Sequence, residues 1–86
     1  MRKYAILNNP INKIEKVMVY TFEEDEVYVF LYDTKIDNPS IADYLFEELD
    51  DADQFCINEY GISDGDWIYL EDPISGTQRD LIGNQK

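Results

Sequence analysis

One run of six consecutive apolar residues constrains the fold more than any other feature of this chain. Val27 to Tyr32 reads Val-Tyr-Val-Phe-Leu-Tyr, and these residue types favour β-strands. A strand with one face in water would alternate apolar and polar side chains, whereas both faces are apolar here. The fold must therefore cover two faces of this strand, although the chain has only 86 residues and a net charge of −12.

A second segment rich in strand-forming residues precedes this run, and four acidic residues, Glu23 to Glu26, lie between them. This arrangement predicts a β-hairpin in which residues 16–22 pair with residues 26–33. The connection contains neither Asn-Gly nor Asp-Gly, the pairs typical of two-residue turns. We therefore predict a longer loop built on a type I turn.

Residues 41–47 have both the spacing of a helix and the alternation of a strand. The cap decides between them, because Leu49 has the position of a hydrophobic staple and Asp50 that of an N-cap. An N-cap residue has non-helical dihedral angles, so the helix would begin after it. We therefore predict a strand over 41–47 and a helix over 51–60 that ends at Gly61.

The predicted order is β-β-β-α-β, with the last strand over 67–70. This is a single α+β domain, residues 1–86, in which a small antiparallel sheet carries one helix on one face. The helix covers only one face of the strand 27–32. Residues 4–7 and the tail at Leu81 and Ile82 are apolar enough to cover the other face. A second protomer is the alternative cover, so a homodimer stays open.

The charges are strongly segregated along the chain. Residues 1–16 hold four bases against one acid, whereas residues 17–86 hold three bases against eighteen acids. Eleven acids and no base lie between Asp43 and Asp72. Such a segment repels nucleic acid and anionic membranes and attracts basic protein surfaces. The simpler interpretation is a solvated face that keeps a small protein soluble.

Catalytic signatures are missing from the sequence. The chain has no His, which excludes Ser-His and Cys-His nucleophile pairs. It has no Gly-rich phosphate loop, and the acidic stretches do not fit the register of a calcium loop. Helical spacing places Cys56 on the apolar face of the helix, where a thiol packs as a small hydrophobe. We therefore predict no enzymatic activity, no cofactor and no metal site.

The single cysteine cannot form an internal disulfide, which fits a reducing compartment. The amino-terminal apolar run is too short for a signal peptide, and no run approaches the length of a membrane span. We therefore predict a cytoplasmic protein with no membrane partner.

The segment from Tyr44 to Ile82 resembles a small bacterial domain family of unknown function. The shared features are an aromatic-Phe-Glu strand end, an acidic helix that closes in Tyr-Gly-Ile, a Trp, and a closing Asp-Pro…Gly-x-Gln-x-Asp-x-Ile. The family pattern has Cys and His where this chain has Thr77 and Arg79, so the resemblance implies no thiol or imidazole site here. In size and acidity the chain is also similar, more loosely, to immunity proteins of bacterial polymorphic toxins.

Two functional hypotheses follow. The first is a non-enzymatic acidic protein that docks a basic protein partner, such as a nuclease toxin or a nucleic-acid-binding protein, and does not itself bind nucleic acid. The second is an assembly module that homodimerises through its strand face, with acidity serving only solubility. Under the first hypothesis, the predicted partner-binding residues are Asp43, Glu47, Glu48, Asp50, Asp51, Asp53, Glu59, Asp64, Asp66 and Trp67.

Overall fold

A computed structural model of the chain describes residues 1–83. Its elements are β1 (Arg2–Ile11), β2 (Ile14–Glu23), β3 (Glu26–Tyr32), β4 (Ala42–Phe46), α1 (Leu49–Tyr60), a 3-10 turn (Asp64–Asp66) and β5 (Ile68–Leu70). The strands form one antiparallel sheet in the order β4-β3-β2-β1-β5. The predicted α+β class is confirmed, with an additional strand at the start of the chain.

The hairpin of β2 and β3 is confirmed, but its loop is shorter than predicted. Glu23 pairs with Glu26, so only two residues lie between the strands. Neither of them has a positive φ. The two-residue turns that match the twist of the strands, types I′ and II′, require one. The register shifts between Thr21 and Glu23, and a bulge of this kind increases the local twist and accommodates the unmatched turn.

The segment 4–7, predicted to cover the sheet, is instead part of strand β1 within it. β1 lies between β2 and β5, and a tight turn at Asn12 and Lys13 joins it to β2. Both turn residues are left-handed, with φ of 50° and 71°, as a type I′ turn requires. The turn signal was hidden from sequence reasoning because Lys occupies the position where Gly is usual.

Replacing Lys13 by Gly should raise the free energy of unfolding by about 1 kcal/mol, because Gly adopts a left-handed φ without the steric cost that a Cβ imposes. Urea denaturation measures the change. Lys35→Gly is the matched control, since it removes the same charge where the backbone has no positive φ, and it should give no gain. A Lys13→Gly protein less stable than its parent would contradict the assigned turn.

The helix begins two residues earlier than predicted. Glu48 is the N-cap residue, with an extended backbone and no side-chain cap bond, and Leu49 is already helical. The predicted cap at Asp50 is therefore wrong, and the carboxylate of Asp50 lies in the first turn, where the helix dipole favours it. The predicted end is confirmed: Gly61 has φ of 65°, and its N–H donates to the Ile57 carbonyl at 3.0 Å.

The two faces of the sheet have different covers. On one face α1 buries Ala52 and Cys56 against the valines of β2 and β3. On the other face, a cluster of Met18, Tyr20, Phe30 and Tyr32 packs against partly buried neighbours that include Ile82. We call residues 71–83 the strap, because this segment crosses the second face. The predicted covering role of the tail is thus confirmed at Ile82.

Buried donors from the sheet hold the backbone of the strap. The guanidinium of Arg2, fully buried, donates from Nε to the Glu71 carbonyl at 3.0 Å and from Nη1 to the carbonyls of Arg79 and Leu81, both at 2.9 Å. The hydroxyl of Tyr32 donates to the Asp80 carbonyl at 2.6 Å. These bonds replace the sheet ladder that the strap does not join, so its polar groups stay satisfied against an apolar face.

Two carboxylates tie the strap to the loop between β3 and β4. Asp80 accepts from the N–H of Ser40 at 2.8 Å and from its hydroxyl at 2.7 Å. Burial alone would raise the pKa of Asp80, but hydrogen bonds from Ser40, Gln78 and the Asp80 backbone together outweigh it and lower the pKa below its usual value. In return, Asp37 of the loop accepts from the N–H groups of Ile82 and Gly83. Loop and strap therefore stabilise each other.

Candidate partner-binding surface

Four aromatic rings pack together where β4 meets the helix. The Phe55 ring lies 5.2 Å from Tyr44, 5.4 Å from Phe46 and 6.0 Å from Tyr60, measured between ring centroids. Tilted and edge-on ring pairs at these distances are stabilising. Because β4 is an edge strand, the cluster is open on one side, and Tyr44 is 49% exposed.

Carboxylates lie beside this cluster. Asp43 projects from β4 on the side of the sheet opposite the rings, and Glu47 and Glu48 follow in the connection to the helix; all three are exposed. On the helix, Asp51 and Glu59 are exposed and lie one turn on either side of Phe55. We define the edge surface as the four rings together with these five acids. It joins an apolar centre to a charged rim, the usual organisation of a protein interface.

The antiparallel pairing of β3 with β4 brings a second acidic group to the edge surface. Val27 pairs with Phe46, so the tip of the β2–β3 hairpin lies beside the connection that follows β4. The two segments enclose an open groove of about 570 Å³. The residues lining the groove are Glu23, Glu24, Asp25, Glu47 and Glu48.

Sequence reasoning noted the acids of the hairpin but left them out of the predicted site. The run of four acids at 23–26 was the available signal in the sequence. Only the pairing of β3 with β4 shows that Glu47 and Glu48 lie beside it. Within residues 1–83, no group of Asp, Glu and Cys side chains has the arrangement to hold a metal ion.

Half of the bases in the described residues are removed from the surface. Arg2 and Lys16 are fully buried and Lys3 is 4% exposed, whereas Asp80 is the only buried acid among residues 1–83. The ammonium of Lys16 donates to the Ile36 carbonyl and lies 4.3 Å from the centre of the Tyr32 ring. The exposed carboxylates are consequently left with little compensation, and the surface potential is more negative than the net charge alone implies.

Of the predicted site residues, Trp67 is buried and Asp53 is partly buried. The Asp53 carboxylate forms an ion pair with Lys3 at 2.7 Å, and the Lys3 ammonium lies 4.6 Å from the centre of the Trp67 ring. Trp67 is only 9% exposed and belongs to the core on the helix side. The structure therefore places Trp67 in the core and pairs Asp53, whose side chain is 29% exposed, with a buried lysine, and neither residue belongs to the edge surface.

Three other predicted residues lie outside the edge surface. Asp66 accepts from the N–H and the hydroxyl of Ser63 at 2.9 and 3.0 Å, which closes a capping box on the 3-10 turn. Asp64 is exposed on the same turn, which follows the end of the helix, and Asp66 lines a groove against β1 rather than β4. Asp50 is exposed in the first helical turn. Five of the ten predicted residues thus converge at β4 and the helix.

The structure indicates that the one thiol of the chain, Cys56, has low reactivity. Cys56 is fully buried against the sheet, and burial raises the pKa of its thiol to about 12, with the charge of Asp53 adding to the shift. The reactive thiolate is therefore scarce at neutral pH. Cys56 packs as an apolar side chain, as predicted.

No helix among the described residues is long and apolar enough to cross a membrane. Comparison of the chain with protein-family models, with curated proteins and with solved structures finds no match. The resemblance of residues 44–82 therefore contributes no role for any residue, and functional inference rests on the edge surface and its charge.

Proposed function

We propose that the protein is a non-enzymatic binding protein that docks a basic protein partner through the edge surface. The observation that carries this proposal is a partly exposed aromatic cluster with carboxylates beside it, in a segment where the sequence has no base between Lys35 and Arg79. Buried aromatic side chains at an interface slow dissociation. The acidic rim accelerates association with a positive surface.

The partner class that fits best is a nuclease or another nucleic-acid-binding protein. Its positive groove normally contacts phosphates, and a set of surface carboxylates can take their place. The acids of the groove at the hairpin tip and of the edge surface form one continuous negative area. Inhibition of such a partner, in the manner of an immunity protein, is the activity we propose. The free buried thiol of Cys56 supports a reducing compartment, the cytoplasm, as its location.

The alternative hypothesis, assembly through the strand face, was based on an apolar sheet face without a cover. The strap covers the face of β3 that pointed away from the helix, and Tyr32 is fully buried beneath it. A homodimer is therefore not required to shield those residues from water.

The test compares two double charge reversals with the same change in net charge. Glu47→Lys/Glu48→Lys lies in the edge surface, and Asp33→Lys/Asp64→Lys lies outside it at exposed positions. Each protein is used to capture partners from a native lysate at low and high salt, and association rates are then measured with the purified partner. We expect the edge variant to slow association on the order of tenfold and the control to slow it much less.

Raising the salt concentration should also slow association of the parent protein, because exposed charges are screened over about 10 Å at 0.1 M ionic strength. A partner that binds equally well at all salt concentrations and to both double variants would contradict the proposal. The acidity would then serve solubility alone.

A further inference from the structure

We propose that the basic partner docks by adding an extended segment to the free side of β4, as a sixth strand of the sheet. This inference rests on the proposed function and specifies how the partner is held. Peptide addition to a sheet edge is a recurrent mode of recognition, in which main-chain hydrogen bonds give affinity and alternate side chains give specificity.

β4 lacks several of the features that normally protect an edge strand, although it carries one charged residue, Asp43. Its five residues contain neither Lys nor Pro, and its register with β3 runs without a shift from the pair Val27–Phe46 to the pair Leu31–Ala42. Natural edges are usually blunted by such residues, by bulges or by a covering segment. Its other long side has no neighbouring strand within residues 1–83. The opposite edge, β5, has only three residues and offers a much shorter ladder.

The side chains of β4 define what an added strand must present. The register places Tyr44 on the helix side of the sheet, against Phe55, and Asp43 and Leu45 on the opposite side. Tyr44 is 49% and Leu45 60% exposed. An incoming strand therefore gains by placing an apolar side chain beside Tyr44 and a basic one beside Asp43, with a period of two.

Charge selects the occupant of this edge. Asp43 lies within β4 and Glu47 and Glu48 directly beyond its end, where the acidic groove of the hairpin tip begins. A second copy of this chain would bring a second set of the same carboxylates to this edge, and the like charges would repel each other. A segment that carries Lys or Arg would instead match Asp43 along the strand and extend basic side chains into the groove.

The probe for this proposal is a synthetic nine-residue peptide of alternating lysine and valine, with blocked termini. Its matched control alternates lysine and proline, which keeps the charge but removes every second N–H group and so interrupts a strand ladder. We expect the lysine–valine peptide to bind at least about tenfold more tightly at low ionic strength. It should also slow amide hydrogen exchange in β4 and shift the NMR signals of Tyr44 and Leu45.

The variant Leu45→Lys provides a second comparison. Leu45 is well exposed, so folding should be retained, and an edge lysine is a natural obstacle to strand addition. This variant should lose the preference for the lysine–valine peptide.

Equal binding of the two peptides, with NMR shifts around the carboxylates but no slowed exchange in β4, would overturn strand addition and leave the proposed function standing. Absence of binding by either peptide at low ionic strength would count against both. Dimerisation of the free protein through β4, detected by sedimentation, would assign the edge to a second copy instead.

Discussion

Replacing Arg2 by Met should lower the free energy of unfolding by about 4 kcal/mol, the largest effect we expect from any single substitution in this chain. The side chain is fully buried and donates to three carbonyl groups of the strap. Met fills much of the volume but donates nothing, and each buried carbonyl left without a donor costs about 1–3 kcal/mol. Urea denaturation of the two proteins measures the difference.

Arg79→Met is the matched control for Arg2→Met. The guanidinium of Arg79 is exposed and lies 5.2 Å from the Phe22 ring and 5.1 Å from the Tyr28 ring. Exposed contacts of this kind contribute about 0.5–1 kcal/mol, so the control should lose little stability.

Hydrogen exchange adds a local measurement of the same effect. The N–H groups of Ile82 and Gly83, which donate to Asp37, should exchange faster in Arg2→Met because the strap is released. An Arg2→Met protein as stable as its parent, with those amides still protected, would show that the strap is held by its apolar contacts alone.

Replacing Asp53 by Ala should cost about 3 kcal/mol, because the buried ammonium of Lys3 would lose its carboxylate partner. The Lys3 side chain is 5% exposed and its ammonium pairs with this carboxylate at 2.7 Å. Without Asp53, the ammonium retains only the face of the Trp67 ring. Thermal and urea unfolding of the variant give the cost.

Asp50→Ala is the control for this substitution, since it removes the same charge from an exposed position in the first helical turn. It should cost only about 0.5 kcal/mol, the usual value of an acid near the start of a helix. Adding Lys3→Met to Asp53→Ala should recover part of the lost stability, because the isolated charge is then gone. If Asp50→Ala and Asp53→Ala proved equally stable, the ion pair would contribute nothing and Asp53 would return to the list of surface acids.

Elements with strong local patterns were predictable from the sequence. The unbroken apolar run defined β3, the flanking β-branched and aromatic residues defined β2, and Gly61 marked the end of the helix. The strand at 41–47 was also predicted, although the reason was imperfect. The supposed cap at Asp50 lies inside the helix, and the strand ends because the N-cap at Glu48 follows it closely.

The candidate site was only partly predictable. Acid content and aromatic residues drew attention to the segment 43–72, and half of the selected residues do converge on the edge surface. The ion pair of Asp53 was not predicted because its partner, Lys3, lies fifty residues away in the sequence, and no local pattern indicates an ion pair at that separation. The acids of the hairpin tip were left out for the same reason. Their neighbours in the groove, Glu47 and Glu48, follow β4 and are distant in the sequence.

The sequence by itself determined the fold class, the strand–helix alternation, the presence of two apolar sheet faces and the excess of surface acid. Each of these features depends only on residue type and short-range spacing. Only the tertiary structure decided that β1 enters the sheet, that buried donors hold the strap on the second face, and that three bases are buried. Those outcomes depend on backbone and charged groups finding partners far along the chain. Burying Arg2 is favourable only where three distant carbonyl oxygens already converge.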